Sequence, residues 1–301
     1  MSIAKYIKEI GRGKQGARSL SREQATDLFG QVLDRSVTDL EIGGFCLAMR
    51  IKGETAQEMA GFMDATRSRM QLVRNGADAT VVIPSYNGAR KLPALTPLLA
   101  LLLAREGLAV LLHGVASEPT RVFTSSVLEA LDIPAQTVVG AAPAGRVTFV
   151  PTTLLCAGLQ QLLDVRRAVG LRNPAHSLVK MMNPCEGKAL VLSSYTHPEY
   201  ALSMAETLEL TRANAILLRG TEGESVADPR RMPQMEGFID GRKLLLQAAQ
   251  GGSLTTLPEL PRDTDADSTA RYIRAVLEGA LPTPEPIAQQ VAHVKSMLSR
   301  L

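Results

Sequence analysis

The feature that most constrains this chain is a change of hydrophobic period near residue 79. Upstream, apolar residues line helical faces; downstream, short β-rich runs at 79–83, 108–112, 146–150, 188–193 and 215–218 alternate with helical stretches that include 92–105, 153–169 and 198–210. Short apolar runs bounded by helices read as strands buried on both faces. Strands joined through helix-length crossovers lie parallel, because a tight turn joins only antiparallel neighbours. The alternation therefore predicts an α/β fold with a largely parallel central sheet wrapped by helices.

The segment before it predicts a small all-α helical domain. Ser21 with Gln24, Thr38 with Glu41 and Thr55 with Glu58 each fit a capping box, in which a hydroxyl caps the helix and the residue three positions later reaches back. Leu28, Val32 and Leu33, then Leu40, Phe45, Leu47 and Met49, then Met59, Phe62 and Met63 form the expected apolar faces of a helical bundle. These readings divide the chain into a helical domain over 1–75 and an α/β domain over 76–301, with part of 165–180 packing against the first. An acidic, proline-containing loop over 258–267 precedes two closing helices over 268–279 and 286–301.

Composition narrows the function classes. The formal net charge is only +3 over 301 residues, so affinity for a polyanion has to come from clustering. Residues 1–22 hold Lys5, Lys8, Arg12, Lys14, Arg18 and Arg22 against Glu9, while Arg166, Arg167, Arg172, Lys180 and Lys188 share their stretch with Glu186 alone. Three separated cysteines, Cys46, Cys156 and Cys185, without a CxxC motif argue against a disulfide framework or a zinc site and fit a reducing cytoplasm. The longest apolar run, near 98–104, is too short to cross a bilayer. A soluble cytoplasmic protein without metal, cofactor or membrane association is expected. His113, His176, His197 and His293 lack metal-ligand spacing, and no Ser-His-Asp or Cys-His pair can be argued from chain order, so no catalytic residue is assigned.

Residues 107–131 read as strand, polar loop with Arg121, and a helix opening at Thr124-Ser125-Ser126. Free amides and the positive end of a helix dipole favour an anion there. The same stretch also reads as an ordinary strand-to-helix turn with Ser/Thr capping.

Three stretches carry a family resemblance. Residues 39–45 with 48–55, then 127–131, then 165–172 through 183–184 resemble the helix 2 to helix 3 junction, the "DVLEALG" helix and the "VRxxLGxRT…GPLTNP" run of anthranilate phosphoribosyltransferase, on the nucleoside phosphorylase/phosphoribosyltransferase fold. The likeness spans most of residues 20–240. Enzymes of that family bind phosphoribosyl pyrophosphate on a "GTGGDGxxTFN" loop, where glycine lets backbone amides close on a pyrophosphate. Here the loop reads Ile83-Pro84-Ser85-Tyr86-Asn87-Gly88-Ala89-Arg90-Lys91, with a single glycine. The family's magnesium-holding "GLDE" acids fall on Ser225 and Val226; Glu222 and Glu224 are close in sequence, but octahedral magnesium tolerates displaced ligands poorly. The family's "KHGN" becomes Leu112-His113-Gly114-Val115, losing a basic phosphate contact.

Basic residues stand in place of this equipment: Arg90, Lys91, Arg121, Arg166, Arg172, Lys180, Arg230 and Arg231. The resemblance implies that their loops converge on a cleft, and Arg and Lys there attract phosphates without a bridging cation. It extends to DNA-binding paralogues of the enzyme, and so implies a non-catalytic homodimer that binds single- or double-stranded nucleic acid through its backbone with low sequence specificity. Two alternatives stay open. One is a glycosyl or phosphoribosyl transferase with an altered phosphate donor, using Arg90, Lys91 and Arg121; the other is a dimeric scaffold whose helical domain holds a protein partner. Plain salt bridging is a further reading, with Asp164 for Arg166 and with Asp228 or Glu236 for Arg230 and Arg231.

Overall fold

The computed structural model describes residues 2–13, 15–115 and 120–301, so Lys14 of the basic N-terminal run and residues 116–119 before Arg121 lie outside the described residues. Helices α1 (Ala4–Ile10), α2 (Arg22–Leu33), α3 (Asp39–Lys52) and α4 (Ala56–Arg67) open the chain. They lead to β1 (Arg74–Gly76), β2 (Thr80–Ser85), α5 (Thr96–Arg105), β3 (Ala109–Gly114), α6 (Thr124–Ala130), β4 (Ala141–Pro143) and β5 (Val147–Pro151). Three helical pieces follow, α7 (Thr152–Leu155), α8 (Ala157–Val169) and α9 (Ala175–Leu178). The chain closes with β6 (Ala189–Tyr195), α10 (Pro198–Leu210), β7 (Ala215–Arg219), β8 (Met235–Ile239), β9 (Arg242–Gln247), α11 (Ala266–Leu277) and α12 (Glu285–Leu298).

These elements form two compact units, one of residues 1–71 with 152–184 and one of 72–151 with 185–301. The single cut expected after residue 75 is thus replaced by three crossings, and all of α7, α8 and α9 belongs with the opening helices. The reason is packing. Helix α8 buries Leu159, Leu162 and Leu163, and its Gly158 lies so close to α2 that a Cβ there would sit 2.1 Å from the Leu33 carbonyl oxygen.

In the helical unit all three capping boxes form, with amides of Gln24, Glu41 and Glu58 donating to the Ser21, Thr38 and Thr55 hydroxyls at 3.3, 3.2 and 3.2 Å. The third is also a buried hub, because Glu58 accepts from the Leu20 amide at 2.9 Å and pairs with Lys52 at 2.6 Å. Phe29 stacks on Phe62 with centroids 4.6 Å apart, and Phe45 meets Phe62 edge-on at 6.0 Å. The expected inward positions of Leu40 and Leu47 are wrong: they are 86% and 42% exposed, and Ile51 on the same helix is 69% exposed. The α3 stripe facing inward runs instead through Ile42, Phe45, Cys46 and Met49. The basic N-terminal run is largely tied to acids, with Arg12 on Glu9 at 2.6 Å, Arg22 on Asp64 at 2.6 Å and Lys5 at 3.9 Å from Asp27.

The second unit carries a seven-stranded sheet in the order β5-β3-β2-β6-β7-β8-β9. Pairings among β5, β3, β2, β6 and β7 are all parallel, and β8 and β9 add an antiparallel edge. All five anticipated strand runs fall in this parallel set. Leu98, Leu99 and Leu103 of α5, Ile273 of α11 and Val294 of α12 pack with Ile83, Leu112 and Leu218 of the sheet. Because the strands run parallel, the loops after β2, β3 and β7 leave from the same sheet edge, the usual place for a ligand site in such sheets. Among the described residues, no helix is long and apolar enough to cross a membrane.

Candidate functional site

The loop leaving β2 meets the loop leaving β7. At the tip of the second, Glu222 adopts φ +52 and Gly223 φ +90, which turns two carboxylates separated by one residue toward the first loop. Glu224 is 3% exposed and accepts from the amides of Asn87 and Gly88 at 2.7 and 3.0 Å. Its second oxygen accepts from the Ser85 hydroxyl and, at 3.3 Å, from Thr96 Oγ1. Glu222 accepts from the amides of Arg90, Lys91 and Leu92 at 2.9, 3.1 and 3.2 Å. The remaining amide of the run, that of Ala89, donates to the Val122 carbonyl at 2.8 Å. Every amide from Asn87 to Leu92 therefore ends on a protein oxygen.

Glycine survives in this loop where it must. Gly88 has φ +65, and a Cβ there would lie 3.1 Å from both the Phe123 ring and the Val122 carbonyl. Gly223 is needed for a second reason, since a Cβ would meet Asn87 Nδ2 at 1.7 Å, the atom that donates to the Glu222 carbonyl at 3.0 Å. Thr124 does not cap α6 as expected: the N-cap is Phe123, with no side-chain cap, and Thr124 Oγ1 lies 2.8 Å from Ser85 Oγ instead. Leu112, which takes the place of the family's basic contact, is fully buried, and so is His113 beside it, whose Nδ1 lies 2.7 Å from the Tyr86 hydroxyl.

These residues do not fit a hard cation. Ser225 is buried with its hydroxyl donating to the Pro84 carbonyl at 3.1 Å, and Val226 lies in the apolar core. The carboxylates of Glu222 and Glu224 are already ringed by amide and hydroxyl donors, which a cation would repel. Among the described residues no group of three or more His, Cys, Asp and Glu side chains could hold a metal ion.

The eight basic residues divide between the two units. Arg90, Lys91, Arg121, Arg230 and Arg231 lie in the α/β unit, and Arg166, Arg172 and Lys180 in the helical unit. In the α/β unit Arg90 and Lys91 are exposed, while Arg121 donates to the Gly88 carbonyl at 3.3 Å and so braces the loop. Arg230 forks onto Asp228 at 3.0 and 2.9 Å and Arg231 reaches the same carboxylate at 3.3 Å, the plain pairing that the sequence left open. Asp228 holds the Arg230 guanidinium above its usual pKa, with a smaller contribution from Glu222.

In the helical unit the three basic residues act on one group. His176, at the start of the turn carrying α9, has its pKa pushed down to about 4, chiefly by burial and then by the positive charges of Arg172, Arg166 and Lys180. Asn173 shapes the turn: its Nδ2 donates to the Leu162 carbonyl at 2.7 Å and its Oδ1 accepts from the Ala175 amide at 3.1 Å. Neither Asn173 nor Asn87 stood out in the sequence, because a structural asparagine differs from a surface one only through its distant partners.

His176 yields a pH prediction. Its pKa is depressed from an unfolded value near 6.5, so the unfolded chain takes up a proton that the folded chain refuses. Stability is therefore expected to fall as pH drops from about 6.5 to about 4, by about 3 kcal/mol. Denaturant titrations at pH 7 and pH 4 should show this loss in the wild type and a much smaller one in His176→Gln. An equal loss in both would remove His176 as the cause.

Comparison with known proteins places the architecture. Residues 4–70 match the family model described as the helical bundle domain of a glycosyl transferase family. The chain is 42% identical over 303 residues to the Escherichia coli protein YbiB, covering 97% of this chain and 93% of that one. Among solved structures it is similar to the anthranilate phosphoribosyltransferase of Thermus thermophilus, with a TM-score of 0.67 at 21% identity, covering 95% of this chain and 85% of that one. The Saccharomyces cerevisiae enzyme in complex with phosphoribosyl pyrophosphate and magnesium gives the same TM-score, 0.67, at 14% identity and coverages of 96% and 85%. The Parasynechococcus marenigrum anthranilate phosphoribosyltransferase is 30% identical over 291 residues, 93% of this chain and 81% of that one. By fold and by sequence, the chain belongs to the anthranilate phosphoribosyltransferase family.

Proposed function

We propose that this member of the family is a non-catalytic, homodimeric nucleic-acid-binding protein of low sequence specificity, cytoplasmic, that grips the phosphodiester backbone. The observation that carries the reading is the concentration of Arg166, Arg172 and Lys180 about His176 in the helical unit, where their positive charges add to burial in lowering the pKa of the imidazole. Arg90 and Lys91 are secondary contacts, and Arg121, Arg230 and Arg231 weaker ones, because Gly88 and Asp228 already engage them. Few aromatic residues and no Trp favour electrostatic contact over base stacking.

A second reading, a transferase with an altered phosphate donor, is favoured by the comparisons: 30% identity to an anthranilate phosphoribosyltransferase extends across most of the chain. The loop over 87–92 weighs against it, since its amides already have acceptors. One experiment separates the two. Retention of a labelled oligonucleotide, with no thermal shift from phosphoribosyl pyrophosphate plus magnesium and no turnover with anthranilate, supports the first reading. A thermal shift with turnover and no retention overturns it.

The exposed residues of α3 support the homodimer. Leu40, Leu47 and Ile51 recur at helical spacing on one face, beside Gly43, where a Cβ would meet nothing within 4 Å. A second copy of the chain is the expected cover. Light scattering should give twice the 32.3 kDa chain mass for the wild type and the single mass for the Leu47→Glu, Ile51→Glu double variant. A wild type of single mass would refute the dimer.

A further inference from the structure

The amides that meet the two carboxylates form two sets, Asn87 and Gly88 on Glu224 and Arg90, Lys91 and Leu92 on Glu222, and in each set consecutive N–H groups point at one centre, the arrangement a protein uses to hold an oxyanion. Here the anion is part of the chain. The two carboxylates are not equivalent. Glu224 is buried and also bonded by two hydroxyls, so it belongs to the interior. Glu222 is only half-buried, and all four of its recorded carboxylate contacts are with the amides of Arg90, Lys91 and Leu92.

We propose that Glu222 is an intramolecular substitute for phosphate: its carboxylate occupies an oxyanion site built by the amides of residues 90–92, and thereby makes the chain refuse small phosphates and diphosphates there. Three observations support this. Its backbone sits at φ +52, a conformation a non-glycine residue adopts at a cost, and the next residue is a glycine at φ +90 that the crowding of Asn87 requires. The Asn87 side chain holds the Glu222 carbonyl, so the loop is fastened on both sides of the carboxylate. The charges around it suit an anion of higher charge than a carboxylate: the side chains of Arg90 and Lys91 are exposed beside the amides, and the Arg230 guanidinium lies near enough for Glu222 to raise its pKa. Glu222 is thus a specificity residue that keeps free phosphates off a site otherwise equipped for them. This goes beyond nucleic-acid binding and does not rest on it.

The test is a titration of the folded protein with inorganic pyrophosphate, without metal and without oligonucleotide, followed by amide NMR. In the wild type the resonances of Arg90, Lys91 and Leu92 are expected to stay in place into the millimolar range. In Glu222→Ala they are expected to shift and saturate with an affinity at least tenfold tighter. Glu222→Gln, which keeps an acceptor oxygen without the charge, should fall between. Wild-type amides that shift as strongly as those of the alanine variant would overturn the proposal, as would an alanine variant of wild-type melting temperature that binds no pyrophosphate. If the variants do not fold, hydrogen exchange in the wild type decides: protected amides at 90–92 support the carboxylate clasp, and exchange at the rate of an open loop refutes it.

Discussion

Replacing Arg166, Arg172 and Lys180 together by glutamine is expected to weaken binding of a single-stranded oligonucleotide roughly 50-fold at 0.15 M salt. Each phosphate contact on a single strand releases about 0.7 of a counterion, so three lost contacts should also flatten the log–log salt dependence by about 2. Lys180 is 8% exposed, and its substitution touches packing as well as charge. The Arg166→Gln, Arg172→Gln double variant leaves the buried Lys180 in place and should flatten the slope by about 1.4. Sequence-independent loss is the expected pattern, because the contacts are with phosphate and not with bases. An affinity unchanged in the triple variant would move the site elsewhere, with Arg90 and Lys91 the next to be replaced.

The second large effect is on stability. Glu224→Ala leaves the Asn87 and Gly88 amides and the Thr96 hydroxyl buried without this acceptor, while the Ser85 hydroxyl keeps Thr124. The α/β unit should lose roughly 3–5 kcal/mol, since each orphaned buried donor costs about 1–3 kcal/mol and the loop relaxes only in part. Glu224→Gln retains an oxygen for the two amides and lets the hydroxyls turn to accept from the new amide, so a loss of about 1–2 kcal/mol is expected. Denaturant unfolding of both variants checks the order. An alanine variant as stable as the wild type would show that this network does not hold the two loops.

Much of the architecture was legible in residue pattern. The five apolar runs became the parallel strands because each is too short for a helix and a helix-containing crossover joins each to the next. The three capping boxes formed because their signal is local, four residues long and tied to one hydrogen-bonding geometry. The antiparallel edge was missed: β9 carries Arg242, Lys243 and Gln247 among its leucines and reads as a polar loop. Leu40 and Leu47 were misassigned because helical periodicity marks an apolar stripe without saying what covers it. Only part of 165–180 was expected to pack with the helical domain, and the start of α8 was not, since its partner, α2, lies more than a hundred residues upstream and only the close approach at Gly158 reveals the pairing.

The site was legible as a loss and not as a replacement. Residues 83–91 showed that glycines were gone, and Ser225 and Val226 showed that an acidic pair was gone. Glu222 and Glu224 stood out only as poor substitutes for the lost metal ligands, because an acid-glycine-acid sequence carries no hint that the amides Glu222 will meet lie about 130 residues away. The divided basic set has the same origin. Arg230 and Arg231 look like free cations until Asp228 is seen between them, whereas Arg166, Arg172 and Lys180 gain weight once His176 is found among them.

The most direct test of the account is fluorescence anisotropy of labelled single- and double-stranded oligonucleotides with the wild-type protein, across salt and with or without phosphoribosyl pyrophosphate and magnesium. The account predicts tight binding at low salt, a steep negative salt slope, little dependence on sequence and no competition from the diphosphate. Absence of binding at low salt, or displacement of the oligonucleotide by the diphosphate with magnesium, would contradict it.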